Sequence, residues 1–282
     1  MRLSDHLKQS LPGPRFGATF DAIMRLDGVV HRRHKNRRTI ETPINGRTYF
    51  IKTHGPAGWG EILKNALRFR WPVLTAEPEW NAIHRLRELG VRTVHAAGFG
   101  VRGRWPHRLE SFIITDALQG MIPLNELVPH LNALSRQRRA QLTRTLLQSI
   151  AQIARSLHLN GLNHRDFYLI HFLIRDQTWP AWTKDDPVEL HLIDLHRVQV
   201  RSRTRRSAIV RDISGLVFSA LDCGLTMRDW IRFLAVYFDE PRRTAAAKHS
   251  GFTRAVVRRA RRIYQSEHGK SPRLPAYRPS FA

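Results

Sequence analysis

Two aspartates in the second half of the chain have surroundings suited to acid–base and metal chemistry. Asp166 follows His164 and Arg165 in the segment NHRDFYLIHFLI (163–174), and Asp194 follows a short apolar run. A positioned carboxylate can accept the proton of an attacking hydroxyl. A second carboxylate can hold Mg²⁺, which prefers oxygen ligands. This pair of carboxylates favours a site that transfers a group to a hydroxyl.

Two charged residues in the first half of the chain extend this pattern. Lys52 ends the strand-like segment YFIK, and Glu79 begins the next helical pattern. A strand lysine, a helix glutamate, an H-R-D loop and a later strand-end aspartate occur in this order in protein-kinase-like phosphotransferases. There the lysine contacts the nucleotide phosphates and pairs with the glutamate. We therefore expect Lys52 and Glu79 to form an ion pair that serves ATP.

Three further residues are candidates at the same site. His171 stands five residues after Asp166, where a protein kinase has a metal-ligating asparagine, so it is a metal candidate together with Asp194. Imidazole is a poor substitute for oxygen around Mg²⁺. No G-x-G-x-x-G motif precedes Lys52, which leaves Arg37 and Arg38 as candidates to approach the triphosphate. His164 and Arg165 complete the predicted catalytic loop.

Some of these residues also have plain structural interpretations. Glutamate is favoured at a helix start by the helix dipole alone, so Glu79 does not require a partner. Asp166 could be a helix cap, and Asp194 an ordinary strand-end carboxylate. Asp212, in the segment RDISGL, is either a helix cap or an anchor that receives backbone N–H donors from the loop at 164–166. The sequence leaves these two alternatives for Asp212 equally open.

Longer strings carry a resemblance to a known family. The strings are NGRTYFIKTH (45–54), EWNAIHRLRELGV (79–91), NHRDFYLIHFLI (163–174) and LIDLHRVQ (192–199). Over roughly residues 25–240 the chain resembles the lipopolysaccharide kinase (Kdo/WaaP) family, and within it the core heptose I kinases. A histidine in place of asparagine at 171 is characteristic of that group.

The resemblance implies a fold, an activity and a location. The implied activity is ATP- and Mg²⁺-dependent phosphorylation of the 4-hydroxyl of the first heptose of the lipopolysaccharide inner core. The implied location is cytoplasmic, peripheral on the cytoplasmic face of the inner membrane. A kinase acting on Kdo, another heptose or a protein hydroxyl is the alternative of the same class. A non-catalytic nucleic-acid-binding protein is the alternative from another class.

The element pattern predicts an α+β, two-lobed, protein-kinase-like fold with ATP in the cleft between the lobes. We expect a loose N-terminal lead-in over 1–24, a mixed, β-rich N-lobe over 25–115, a mainly helical C-lobe over 116–265 and a basic, Pro-containing tail over 266–282. The predicted elements are a hairpin at Asn45-Gly46, helices at 61–70 and 78–89, strands near 94–101 and 111–115, a long helix from Ser135 to Asn160, and a hairpin with a long tip formed by 172–174 and 190–193.

The charge of the chain points to anionic partners. Its 47 Lys and Arg against 23 Asp and Glu give a net charge of +24, and 40 of the 47 are Arg. A hydrophobic content of 42% excludes a disordered polycation, so this charge lies on a folded body. The expected partners are the lipopolysaccharide core with its lipid A, an anionic membrane surface and a soluble acidic carrier protein. No nucleic acid is expected, because no recognition helix or aromatic sheet motif is present.

The cysteine content and the hydropathy exclude other classes. Cys223 is the single cysteine, which excludes an internal disulfide and a multi-cysteine zinc module. The sequence has no apolar run near the roughly 18 residues of a membrane-spanning helix. The segment MRLSDHLKQS lacks the apolar stretch of a signal peptide. We therefore expect neither a membrane span nor secretion.

Overall fold

The structure, a computed structural model, describes residues 1–11, 16–34, 36–57, 75–131, 133–176 and 188–272. The chain divides into two compact units. Unit 1 comprises Met1–Arg85 and Thr93–Gln119, and unit 2 comprises Leu86–Arg92 and Gly120–Ala282. Unit 1 contains a large antiparallel sheet and unit 2 is mainly helical, which confirms the predicted α+β class.

Unit 1 is built around a six-stranded sheet whose order is β1-β5-β6-β4-β3-β2. All its neighbouring strands are antiparallel. The elements are β1 (Arg2–Leu3), α1 (Asp5–Ser10), α2 (Phe16–Arg25), β2 (Val29–His34), β3 (Arg37–Ile44), β4 (Arg47–His54), α3 (Glu77–Glu88), β5 (Ala96–Arg102) and β6 (Glu110–Asp116). The last three residues of α3 are grouped with unit 2.

The hairpin of β3 and β4 confirms the turn predicted from Asn45-Gly46. Both residues have positive φ, 44° and 77°, as a two-residue type I′ turn requires. Strand β4 alternates, with Tyr49 and Ile51 buried in the core of unit 1 and Lys52 on the opposite face. The turn sets the register of the hairpin, and the register decides which face Lys52 occupies.

The N-terminal segment is an integral part of unit 1, so the prediction of a loose lead-in is wrong for the residues described. Strand β1 pairs with β5 at the edge of the sheet. Leu7, Phe20 and Ile23 are completely buried in the core of the unit. Burial of an apolar side chain of this size is worth about 1.5–3 kcal/mol. The Pro and Gly residues near position 13 obscure the apolar positions of α1 and α2 in the sequence, and these positions pack into the core of unit 1.

Unit 2 combines helices with short strand pairs. Its elements are β7 (Met121–Pro123), α4 (Leu124–Leu131), α5 (Arg136–Leu159), β8 (Leu162–Asn163), β9 (Phe172–Arg175), β10 (His191–Leu192), β11 (Gln199–Val200), α6 (Arg206–Ala220), α7 (Met227–Phe238), α8 (Arg242–Lys248) and α9 (Ser250–His268). Strands β7, β9 and β10 form a three-stranded sheet, and β8 pairs with β11. The pairing of β9 with β10 confirms the hairpin predicted for these apolar runs.

The long helix α5 has the predicted ends. The Ser135 hydroxyl accepts a hydrogen bond from the Arg138 backbone N–H at 3.4 Å. Asn160 follows the last helical residue, and Gly161 has a φ of +79°. A Cβ atom on Gly161 would lie 1.8 Å from the Arg201 carbonyl oxygen, so only glycine allows the residue after β11 to approach the end of α5 so closely.

Among the described residues, no helix is long and apolar enough to cross a membrane. Cys223 is half-buried, and burial together with the nearby Asp222 carboxylate raises the pKa of its thiol to about 11. The helix predicted at 61–70 lies outside the described residues, as do the tip of the long hairpin at 177–187 and the tail from 273 onward.

Replacing Gly161 with Ala is expected to lower the free energy of unfolding by about 3 kcal/mol. The left-handed conformation costs about 1–2 kcal/mol for a residue with a Cβ, and the steric overlap adds about 1–3 kcal/mol. Gly269→Ala is the matched control, because Gly269 also follows a helix with φ +65°, but a Cβ added there would meet no atom within 4 Å. Urea unfolding of both variants measures the difference, and equal losses would contradict the overlap.

Candidate active site

Lys52 and Glu79 form the predicted ion pair within unit 1. The Lys52 Nζ atom lies 2.6 Å from the Glu79 Oε1 atom, and the two side chains are 25% and 5% exposed. Glu79 lies in the first turn of α3 and joins this helix to β4. A carboxylate buried this deeply needs a cationic partner, since an unpaired buried charge is strongly destabilising. The ammonium group is therefore held at a fixed position with part of its surface exposed.

The two arginines predicted to approach the triphosphate differ in their surroundings. Arg38 donates hydrogen bonds to the backbone carbonyls of Met24 and Leu26 at the end of α2. Its guanidinium therefore supports the end of a helix, where cations are favoured by the helix dipole. Arg37 begins β3, where its register partners are His34 and His54. A role of either residue in nucleotide binding stays a prediction.

In unit 2, Asp212 anchors the predicted catalytic loop. Its Oδ2 atom accepts the His164 backbone N–H at 2.6 Å, and its Oδ1 atom accepts the Arg165 backbone N–H at 2.8 Å. Asp212 is fully buried within α6, well past the first turn of the helix, so it is not a cap. Of the two alternatives that the sequence left open, the structure selects the anchor.

The anchored loop has a strained backbone. Arg165 has a φ of +75°, which is uncommon for a residue with a long side chain. Burial, followed by the repulsion of Arg197 and Arg211, lowers the pKa of its guanidinium. Strained backbone of this kind persists only where the surroundings hold it in place, and it clusters at functional sites. The two hydrogen bonds to Asp212 hold this conformation.

Asp212 is in turn supported by a buried chain of hydrogen bonds. Its Oδ2 atom lies 3.4 Å from the His158 Nε2 atom, and the His158 Nδ1 atom lies 2.7 Å from the Tyr237 hydroxyl. All three side chains are less than 10% exposed. Burial, with the Asp212 charge nearby, raises the pKa of Tyr237 well above its usual range, so the hydroxyl stays protonated and can donate. With Nε2–H of His158 donating to the carboxylate, every polar atom of the chain has a partner.

His164 is a positioning residue, which corrects its prediction as a catalytic residue. Its side chain is completely buried, and its Nε2 atom donates to the Ile193 carbonyl at 3.0 Å. Burial lowers the pKa of its ring below the ordinary value, so the ring is neutral at pH 7. His164 therefore ties the catalytic loop to the residue that precedes Asp194 and is too deeply buried to meet a reactant.

Asp166 lies next to a cationic partner. Its Oδ1 atom accepts a hydrogen bond from Arg197 Nη1 at 2.7 Å, and the two side chains are 14% and 43% exposed. Among the described residues, no hydrogen bond is donated to its Oδ2 atom. One oxygen is thus oriented by the guanidinium while the other is available to a hydroxyl proton.

Asp194 and His171 lie together, as the metal prediction requires. The His171 Nε2 atom is 3.5 Å from the Asp194 Oδ2 atom, and His196 hydrogen-bonds to Asp194 Oδ1. Asp194 has a left-handed backbone with φ 63° and ψ 53°. The Nδ1 atom of His171 lies 2.6 Å from the Asp166 carbonyl oxygen and must carry the proton to donate to it. The Nε2 atom of the same ring faces the Asp194 carboxylate.

Several residues of this site were not found from the sequence. Arg197 and His196 lie in LIDLHRVQ, which carried the family resemblance, but their contacts with the two aspartates were not predicted. His158 and Tyr237 are 79 positions apart and belong to no motif, so only the fold brings them together. Among the described residues, no cluster of three or more His, Cys, Asp or Glu could hold a metal ion by itself.

Comparison with known proteins identifies the family. A sequence profile of the lipopolysaccharide kinase (Kdo/WaaP) family matches residues 21–237. The chain belongs to this family. It is 41% identical over 247 residues to the lipopolysaccharide core heptose(I) kinase WaaP of Pseudomonas aeruginosa, an alignment that covers 87% of this chain and 90% of the relative. It is 37% identical over 252 residues to the enzyme of the same name from Escherichia coli, covering 89% and 93% of the two chains.

A solved structure shares the fold. This chain superimposes on the structure of WaaP in complex with acyl carrier protein with a TM-score of 0.76 at 35% sequence identity, covering 94% of this chain and 100% of the other. The predicted kinase-like architecture is thereby confirmed. As a member of a kinase family, the chain is a phosphotransferase that uses ATP and acts on a hydroxyl group.

Replacing Tyr237 with Phe is expected to lower the turnover number of this kinase about threefold to tenfold and to leave the KM for ATP unchanged. Loss of the hydroxyl frees the His158 ring and loosens the support of Asp212, while neither residue is predicted to touch ATP. Tyr264→Phe is the matched control, because Tyr264 is also a mostly buried residue but its hydroxyl hydrogen-bonds to Asp222 instead. Steady-state transfer kinetics measure both variants, and an equal loss in the control would mean that only general stability had changed.

Proposed function

We propose that this kinase transfers the γ-phosphate of ATP to the 4-hydroxyl of the first heptose of the lipopolysaccharide inner core. The observation that carries the proposal is the loop anchored by Asp212, which presents Asp166 beside Arg197. Relatives that share most of this chain are named core heptose(I) kinases. A kinase of Kdo, another heptose or a protein hydroxyl would use the same chemistry, and the identity of the phosphorylated sugar separates these alternatives.

Asp166 acts as the proton acceptor in this reaction. The heptose hydroxyl oxygen forms a bond to the γ-phosphorus, the bond from that phosphorus to the β,γ-bridging oxygen breaks, and ADP leaves with the electron pair. The hydroxyl proton passes to the Asp166 carboxylate. Arg197 fixes the orientation of that carboxylate, so that one oxygen stays directed to the acceptor.

Lys52 contacts the α- and β-phosphates of ATP in this proposal. Glu79 holds the ammonium group in place, so little side-chain entropy is lost when the nucleotide binds. The partly exposed ammonium can exchange water for phosphate oxygens while it keeps its carboxylate partner. Arg37 and Arg38 remain candidates for additional phosphate contacts.

Asp194 and His171 fit a divalent cation. The Asp194 carboxylate supplies the oxygen ligand that Mg²⁺ prefers, and its backbone conformation holds it at the end of a strand. The second donor is a nitrogen, which is a poorer ligand than oxygen for Mg²⁺. A bound Mg²⁺ would offset the negative charge of the phosphate oxygens during transfer. The chain itself contributes the position of the carboxylate, which His196 orients.

The proposed place of action is the cytoplasmic face of the inner membrane, with the protein bound peripherally. The first heptose belongs to a glycolipid, so the acceptor is held at a lipid surface. The charge of +24 favours contact with anionic lipid headgroups and with the phosphates of lipid A.

An acidic carrier protein is a further proposed partner. Unit 2 contains a cavity of about 670 Å³ that is lined by apolar side chains and edged by arginines. Trp230, Phe233 and Val257 are among the apolar residues, and Arg258 and Arg262 are among the arginines. A carrier that bears an acyl chain would bury that chain in the cavity and place its acidic surface against the arginines. The shared fold with a chain solved as a complex with acyl carrier protein supports this proposal.

Replacing Asp166 with Asn is expected to lower the rate of transfer by about 10²–10⁴-fold, the usual contribution of a positioned general base. The substitution keeps the shape and the hydrogen-bonding capacity of the side chain but removes its proton affinity. Asp5→Asn is the control, because the Asp5 side chain is 89% exposed in a surface pair with Lys8. The assay uses γ-labelled ATP, inner core without phosphate on the first heptose, and Mg²⁺, with and without chelator.

Mapping of the labelled sugar by mass spectrometry decides the acceptor. Label on the first heptose that requires Asp166 supports the proposal. Label on another sugar or on protein would overturn the assigned acceptor, and undiminished transfer by the Asp166→Asn variant would overturn the assigned base.

Reversing the charge of Arg258 and Arg262 together to Glu is expected to weaken binding of an acyl-loaded acidic carrier protein at least tenfold. Like charges facing each other replace the proposed attraction. The doubly substituted Arg87→Glu, Arg104→Glu protein reverses two exposed charges that do not line the cavity and should bind as the unmodified chain does. Co-purification and surface-based binding measurements compare the two double variants. An equal decrease in both would show that the effect comes from net charge alone and not from the arginines at the cavity.

A further inference from the structure

One surface of unit 2 combines exposed aliphatic side chains with exposed arginines. Leu159 at the end of α5 is 68% exposed, and Val200 in β11 is 52% exposed. Both side chains lie next to an arginine-rich segment in the fold, and apolar side chains rimmed by charged residues can mark a protein or membrane interaction site. We call this surface the arginine–aliphatic patch, and it consists of Leu159, Val200, Arg201, Arg203, Arg205 and Arg206.

The patch is continuous, because two backbone segments are held together at two points. The Arg201 backbone N–H donates to the Gly161 carbonyl at 3.0 Å, so Arg201 lies close to the exposed Leu159, which precedes Gly161 by two positions. The buried Thr204 hydroxyl donates to the Leu162 carbonyl at 3.2 Å. Val200 itself pairs with Leu162. The segment that carries the arginines is therefore held against the end of α5, next to the two exposed aliphatic residues.

The charge of the patch is uncompensated. Within the part of the chain that the structure describes, the side chains of Arg203, Arg205 and Arg206 form no ion pair and no hydrogen bond. All three residues are exposed. The sequence contains no Asp or Glu from 159 to 165 or from 195 to 211. Such a concentration of like charge is relieved by an anionic partner.

We infer that the arginine–aliphatic patch binds the surface of an anionic phospholipid bilayer. Leu159 and Val200 would enter the boundary between headgroups and acyl chains, while the arginines contact headgroup phosphates. Aliphatic side chains surrounded by long basic side chains suit this boundary, because it is apolar on the acyl-chain side and hydrated on the headgroup side. An acidic protein would satisfy the charge, but it gives no reason for two isolated aliphatic side chains to stay exposed.

This inference rests on the proposed function, whose acceptor is a glycolipid, and it specifies which face of unit 2 meets the membrane. Vesicle binding needs neither ATP nor acceptor, so it is measured independently of transfer. Transfer to a delipidated, soluble inner-core oligosaccharide tests the proposed function without a membrane. Loss of vesicle binding therefore does not count against the proposed function, and loss of transfer to the oligosaccharide does not count against membrane binding by the arginine–aliphatic patch.

The experiment compares binding of the full chain to vesicles of phosphatidylglycerol and phosphatidylethanolamine. Replacing Arg203 and Arg205 together with Gln is expected to weaken binding about 25-fold, since each arginine near an anionic surface contributes about fivefold. The matched control, Arg87→Gln with Lys270→Gln, removes the same charge from exposed positions outside the patch and should change binding less than twofold. Circular dichroism and thermal unfolding verify that all the variants fold.

A second variant tests the aliphatic part of the patch. Replacing Leu159 and Val200 with Ser keeps the charge and should abolish the binding that survives at high salt, where electrostatic attraction is screened. Both patch variants should keep full transfer to the soluble oligosaccharide. Equal losses in the patch and control variants, unchanged vesicle binding, or loss of acidic carrier binding in place of vesicle binding would each overturn the inference.

Discussion

The geometry of the candidate site depends on one buried carboxylate. Asp212 accepts the N–H groups of two successive residues, and this holds the catalytic loop in a conformation that Arg165 would otherwise avoid. A buried charge is tolerable only if hydrogen bonds replace the water it has lost. The donors here are two backbone amides and the ring of His158, so the carboxylate is stabilised by the same contacts that fix the loop.

The two aspartates with proposed chemical roles are linked by the short segment that follows Asp194. His196 contacts Asp194, and Arg197 contacts Asp166. The link is reinforced from the other side, because His164 donates to the carbonyl of the residue before Asp194 and His171 donates to the carbonyl of Asp166. The loop and the strand end are therefore joined in one network of hydrogen bonds. Such preorganisation is what phosphoryl transfer needs, because its catalysis consists mainly of positioning and electrostatics.

Local signals predicted some parts of this protein well. The Asn45-Gly46 turn, the Ser135 cap and the ion pair of Lys52 with Glu79 each follow from residues whose types restrict the local geometry or belong to an ordered motif. The remaining contacts depend on tertiary structure. Asp212 had two valid interpretations because a helix cap and a loop anchor require the same residue type.

The errors have physical causes as well. The N-terminal segment was mistaken for a loose lead-in because its proline and glycine residues obscured the apolar face formed by Leu7, Phe20 and Ile23. His164 was predicted to act in the chemistry because the motif contains it, whereas motif membership does not distinguish a reacting side chain from a buried positioning one. Burial is decided by packing around the loop, which the sequence pattern does not record.

The single cysteine has a practical consequence for work in solution. Cys223 is half-buried, and its raised pKa keeps almost all of the thiol protonated at neutral pH, so it reacts slowly with maleimides and disulfide reagents. The natural chain is therefore a low-background host for site-specific labels. A cysteine introduced at an exposed position of either unit would take up a fluorophore or a spin label selectively.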